Sequence, residues 1–181
     1  MARINKTQFA ILGCLSIKPM SAYDMKSFMA RSTNYFWMEY EAQLYPTLKK
    51  LNKAGYIDCR EEEAQKGGVR ALYCITDKGT RFLCEWISQK TEQTNYRNEF
   101  LLKLFFGNQV DKKISLKHIE FYKTEALEQL NQLLAIENDI QNNKKIKRKP
   151  YILATIRYGI HIFKAEIAWC DETKKLLTTR G

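Results

Sequence analysis

The sequence predicts a mainly α-helical (α+β) chain in two units: helices with one β-hairpin over residues 1–90, then an all-helical unit over residues 97–181. Three observations lead there. Apolar residues recur at helical spacing up to residue 55 and again after residue 97. Between residues 56 and 75 the period drops to two, as in a half-buried strand. The polar run SQKTEQTNYRN, residues 88–98, separates the two regimes and is the natural boundary.

The elements follow in order. Thr7 is placed to cap a first helix whose face uses Phe9, Leu12 and Ile17 and which Pro19 stops. Ser21 caps a second, SAYDMKSFMARS, with Asp24 in the position of a capping-box acid. Its stripe of Tyr23, Met25, Phe28 and Met29 reads as mostly core. The segment EAQLYPTLKKLNKAG is a third helix, with Leu44, Leu48 and Leu51 at i, i+4 and i+7 and Gly55 as its C-terminal stop. Its other side carries Gln43, Thr47, Lys49, Lys50 and Lys53, and Pro46 is expected in or near the first turn, where a missing N–H costs least. YIDCRE and ALYCIT alternate as strands around EEAQKGGVR, with Gly67-Gly68 as the hairpin tip. Thr76 then caps a helix with Phe82, Leu83, Trp86 and Ile87 apolar.

Beyond the boundary, EFLLKLFFG is a short helix ended by Gly107, and residues 113–142 form a long amphipathic one. Residues 151–177 form the last helix, which is apolar on several sides. One partner helix cannot bury all of them, so a second subunit is implied. The residues expected at that dimer interface are Ile119, Leu127, Leu130, Leu134, Ile156, Ile160, Phe163 and Ile167.

Three helices, a glycine-tipped hairpin and a closing helix are the order of a winged helix-turn-helix, whose third helix enters the DNA major groove. Gln43, Thr47 and Lys50 then face base edges and phosphates, since glutamine pairs with adenine and lysine donates to guanine. Lys49, Lys53 and Ser21, the last at a helix N-terminus, are phosphate candidates. Tyr23 and the hairpin's Lys66 and Arg70 complete the candidate DNA contacts.

The phrases AILGCLSIKPMSAYDMKSF, QLYPTLKKLNKAGYI and GGVRALYCITDKGTRFLCEW resemble the PadR family of transcriptional regulators, and NYFWMEYEAQLYPTLKKL its AphA-like members. The resemblance spans roughly residues 6–90. It implies a non-catalytic homodimer that represses or otherwise regulates transcription, with the helices after residue 97 as dimerisation region. The family position matching Tyr45 suggests a DNA contact there; packing against the wing is the other reading. Two departures stand out: the family's wing often holds a denser basic cluster than Lys66 and Arg70, and Ala22 replaces a frequent glycine.

Composition agrees with a polyanion partner. The net charge is +10 and the pI about 9.3, with the excess shared between the two halves. The only histidines are His118 and His161, and neither sits in a nucleophile, phosphate-loop or metal motif. No enzyme, cofactor or metal site is therefore expected. Five scattered cysteines, each among apolar neighbours, read as buried free thiols in a reducing cytoplasm. The most apolar stretch, YILATIRYGIHIFKAEIAW, is broken by Arg157, His161, Lys164 and Glu166, so no membrane partner is expected. The start of the chain reads as a helix rather than a signal peptide. Lysines 144, 145, 147 and 149 with Arg148 read as a solvated loop.

Trp37, Trp86 and Trp169 are candidates for an effector cavity, although aromatics at helical spacing are usually core. The function expected is that of a sequence-specific repressor, binding double-stranded DNA at an inverted repeat and released by a small apolar or phenolic effector. The alternative is a winged-helix protein–protein adaptor without DNA binding.

Overall fold

The computed structural model of the chain describes residues 5–38, 41–63, 69–92 and 97–179, with Glu41 and Glu63 described by backbone alone. The Gly67-Gly68 hairpin tip and Lys66 lie outside the described residues. The first unit, residues 1–93, contains α1 (Thr7–Leu15), α2 (Ala22–Ser32), α3 (Glu41–Lys53), β1 (Ile57–Glu63), β2 (Val69–Ile75) and α4 (Asp77–Ser88). The second, residues 94–181, contains α5 (Glu99–Phe105), a 3-10 turn (Gly107–Gln109), α6 (Lys112–Asn142) and α7 (Lys149–Thr178). The chain is mainly α-helical with one two-stranded sheet, in the winged helix-turn-helix order.

In the first unit Phe9, Ile11, Leu12 and Leu15 of α1 meet Met25 and Met29 of α2, the three leucines of α3, Ile57 and Leu83 in one core. Burying each such side chain stabilises by about 1.5–3 kcal/mol. Phe9 stacks on Trp86 with ring centres 4.4 Å apart, and Tyr56 stacks on Phe82 at 4.5 Å. The hairpin is antiparallel, Ile57 opposite Ile75 and Glu62 opposite Arg70. A two-stranded hairpin is marginal alone. Here Met20 adds a bridge at its root, exchanging backbone hydrogen bonds with Tyr73 at 3.1 and 3.0 Å.

Several local expectations need correction. Asn5, not Thr7, serves the start of α1: its carbonyl oxygen accepts the Thr7 N–H at 3.0 Å. α1 ends at Leu15, before Pro19, where Ser16 turns its hydroxyl onto the Gly13 carbonyl at 2.7 Å. Ile17 therefore lies outside the helix and is exposed. Tyr23 is exposed rather than core, and the apolar Ile87 is exposed too. Pro46 sits at the sixth residue of α3, in its second turn, so the Ala42 carbonyl loses its usual i+4 donor. Cys14 and Cys170 are buried, but Cys59 and Cys84 are exposed, so apolar neighbours in sequence did not guarantee burial.

Ser21 and Asp24 do form a capping box, and Thr76 caps α4 by accepting the Gly79 N–H at 3.1 Å. Gly55, at φ 72°, closes α3: its N–H donates to Asn52 and that of Tyr56 to Leu51, at 2.9 and 3.0 Å.

In the second unit α6 and α7 form an antiparallel pair. Ile119, Ala126 and Leu133 face Ile156, Ile160 and Cys170 in its seam. Polar contacts run along the rim, among them Tyr122 to Glu166 at 2.7 Å, Lys123 to Asp171 at 2.6 Å and Arg157 to Glu137 at 2.7 Å. Among the described residues no helix is long and apolar enough to cross a membrane.

Candidate nucleic-acid interface

α3 is held by its three leucines, each at most 3% exposed, and the opposite side is left to solvent. Gln43, Tyr45, Lys49, Lys50 and Lys53 all stand on the exposed part of the helix. Thr47 does not: it is 4% exposed, donates to the Gln43 carbonyl at 2.6 Å and accepts from Asn5 at 3.4 Å. The cause is arithmetic. Thr47 follows Leu44 by three residues and precedes Leu51 by four, so it shares their side of the helix. Its place among the base contacts is withdrawn.

Ser21 is also redirected. Its hydroxyl donates to the Asp24 carboxylate at 2.7 Å and accepts the Asp24 N–H at 3.1 Å, while its own N–H donates to the same carboxylate at 3.1 Å. Both hydrogen-bonding directions of the hydroxyl are spent inside the helix cap, and the anion at this N-terminus is Asp24 itself. The Ser21 hydroxyl and then its N–H hold that carboxyl below its ordinary range, ahead of the more distant Arg70 and Lys18 charges. Ser21 is thus not a free phosphate donor.

Tyr23 is 76% exposed on α2. Tyr45 is 56% exposed yet lies near enough to Tyr73 of β2 to add to the rise of that phenol's pKa, which burial and Cys59 dominate. Arg70 is no free cation: its Nε and NH2 donate to Glu62 at 3.1 and 2.7 Å, and NH1 lies 3.8 Å from Asp24.

The residues expected at the dimer interface divide. Ile119, Ile156 and Ile160 are spent in the α6–α7 seam and are not available to a second chain. Leu130, Phe163 and Ile167 are half-buried, while Leu127 and Leu134 remain exposed. Further apolar side chains, not among those expected, stand open to solvent: Leu101, Leu102 and Phe105 of α5, then Phe106, Val110 and Phe121, with Phe105 80% exposed. A signal was present, because EFLLKLF holds five apolar residues in seven and its polar side is only the Glu99–Lys103 pair.

Trp86 stacks on Phe9 in the first unit, where Trp37 is half-buried; Trp169 stands edge-on to Phe100 and Tyr122 in the second. A cavity of about 220 Å³ lies beside α5 and the start of α6, lined by Phe100, Leu104, Phe106, Val110, Ile114 and His118 among others.

Comparison with known proteins gives these features a frame. Residues 11–85 match the transcriptional regulator PadR-like family, and residues 96–178 match the virulence activator alpha C-term family. The negative transcriptional regulator PadR of Bacillus subtilis is 33% identical over 100 residues, 55% of each chain, so this match spans about half of that relative. The crystal structure of B. subtilis PadR in complex with operator DNA superposes with a TM-score of 0.86 at 20% identity, covering 96% of this chain and 99% of the other. A second, in complex with p-coumaric acid, gives 0.77 at 20% identity over 99% and 100%. The Vibrio cholerae virulence activator AphA gives 0.72 at 25% identity over 94% and 96%. With both halves of the sequence matched and the winged-helix architecture in place, the chain is a PadR-like transcriptional-regulator domain, residues 11–85, followed by a virulence activator alpha C-term domain, residues 96–178.

Proposed function

We propose that this DNA-binding regulator is a cytoplasmic homodimeric repressor that reads an inverted-repeat operator with the α3 helix of each protomer. The exposed side of α3 carries the proposal. Gln43 offers a donor and an acceptor for adenine, and Lys50 a donor for guanine. Lys49 and Lys53 are suited to phosphates, and Tyr45 on α3 and Tyr23 on α2 add exposed rings. A helix held by three buried leucines and facing outward with an amide and three ammonium groups suits a polyanion, whereas an adaptor would present an apolar or acidic side.

Dimerisation is supported by the exposed apolar residues of α5 and of α6, which a single chain leaves in water. The sign of regulation follows the 33% identical relative, a negative regulator, over AphA, an activator. The effector proposal is supported by B. subtilis PadR having been crystallised with p-coumaric acid and by the apolar cavity beside α5. Such a ligand acts only by preferring one state, since equal affinity for both shifts nothing.

Genomic selection of bound fragments with the full-length chain, followed by anisotropy titrations, tests the reading. Enrichment of an inverted repeat whose affinity falls steeply with salt is expected. Recovery of no fragment at low salt would return the protein to the adaptor class.

A further inference from the structure

Arg70 stands where a wing would use a phosphate contact, yet its surroundings give it other work. It is the direct cross-strand partner of Glu62, and its guanidinium closes on that carboxylate through two nitrogens at 3.1 and 2.7 Å. Both bonds end on one oxygen, Oε2, and such charge-assisted bonds are stronger than neutral ones. Its third nitrogen points towards Asp24, 3.8 Å away, and Asp24 is locked to α2 by both the N–H and the hydroxyl of Ser21. A continuous polar link therefore runs from the N-terminal cap of α2, through Arg70, to the outer half of the hairpin.

The sequence of the hairpin points the same way. Its two strands hold Asp58, Glu61, Glu62 and Glu63 against Arg60 and Arg70, so they are acidic in balance. An arginine already facing two carboxylates is poorly placed to neutralise a phosphate as well. The backbone bridge of Met20 with Tyr73 secures only the root, and Arg70 lies three residues further out.

We infer that Arg70 is a positioning residue: with Glu62 and Asp24 it sets the wing's angle on α2, and it does not itself contact the DNA. The inference rests on the DNA-binding reading, and the two fail in different experiments. Full-length Glu62→Gln, Arg70→Gln and the double variant are titrated by anisotropy against a selected DNA fragment across a salt series. Amide exchange of β1 and β2 is measured on the free proteins.

Each single change is expected to weaken DNA binding about two- to fivefold, the range of an exposed ion pair. The double variant should be no worse than either single one. The slope of log K against log salt should stay put, and exchange of the hairpin amides should accelerate in all three. Tighter binding by Glu62→Gln, or a slope shallower by about 0.9 in Arg70→Gln, would mean a phosphate contact and overturn the inference. Unchanged amide exchange would overturn it too. If no variant, nor the parent, binds any fragment while exchange still accelerates, the ion-pair link to α2 stands and the DNA-binding reading falls.

Discussion

Gln43 and Lys53 occupy the same helix and the same solvent, but they call for different measurements. Replacing Gln43 with alanine removes an amide able to match one base, so about 1–3 kcal/mol should be lost on the selected operator and little on unrelated DNA. Lys53→Ala should weaken all sequences alike and make the salt dependence shallower by about 0.9 in slope. Competition titrations with specific and non-specific duplexes separate the two. Thr47→Ala, by contrast, removes a buried hydroxyl that bonds to Gln43 and Asn5. It should lower unfolding free energy by about 1 kcal/mol in a urea titration, with the salt slope unchanged. The lysines and Gln43 were legible in sequence because a helix with a clean leucine stripe leaves its other side to water. Thr47 was misread because a polar residue was taken as outward-facing although its spacing to Leu44 and Leu51 sets it inward. For Ser21 and Arg70 the sequence shows a donor, but not the acceptor that folding brings to it.

Among the elements, α3 and the hairpin are joined by a turn that tolerates little change. Gly55 holds φ at 72°, and alanine there should cost about 1–2 kcal/mol, read as a lowered urea midpoint. Gly79 is more constrained, since a methyl group at its Cα would fall onto the Tyr56 carbonyl oxygen, and neither helix α4 nor the backbone of Tyr56 can give way cheaply. Gly79→Ala should therefore be the more destabilising of the two. The cap of α2 adds a pH dependence. Its Asp24 carboxyl sits below the ordinary range when folded, so its stabilisation is complete above about pH 4, the unfolded value, and is lost as pH falls through the folded one. Asp24→Asn should lower the melting temperature at neutral pH, where that stabilisation is present, and matter less in acid, so that the acid side of the profile flattens. Capping residues and the switch from period 3.6 to period 2 made most of these elements readable. The end of α1 was not, because the chain leaves the helix at Ser16, whose hydroxyl turns back onto the Gly13 carbonyl, ahead of the proline that would have stopped it.

For the whole molecule, the division of the apolar residues on α5, α6 and α7 is decisive. The inward set builds the α6–α7 seam, and the outward set is proposed to meet a second copy. Sequence periodicity found the stripe but could not divide it, because both sets repeat at the same helical spacing. Phe105→Glu with Phe121→Glu should convert the full chain to a monomer in sedimentation velocity while the far-ultraviolet helix signal persists. A chain already monomeric at micromolar concentration would remove the dimer from the proposal. Inserting about 5 bp between operator half-sites would turn one of them to the far side of the duplex and should abolish tight binding. The open phenylalanines of α5 and α6 carry one more consequence. If the operator takes only paired chains, its occupancy at low abundance rises with the square of the chain's concentration. Halving the supply of protein would then cut occupancy about fourfold. Dilution at cell growth, or a burst of synthesis, would become a signal in its own right, written into the gene's response by phenylalanines that never approach the double helix.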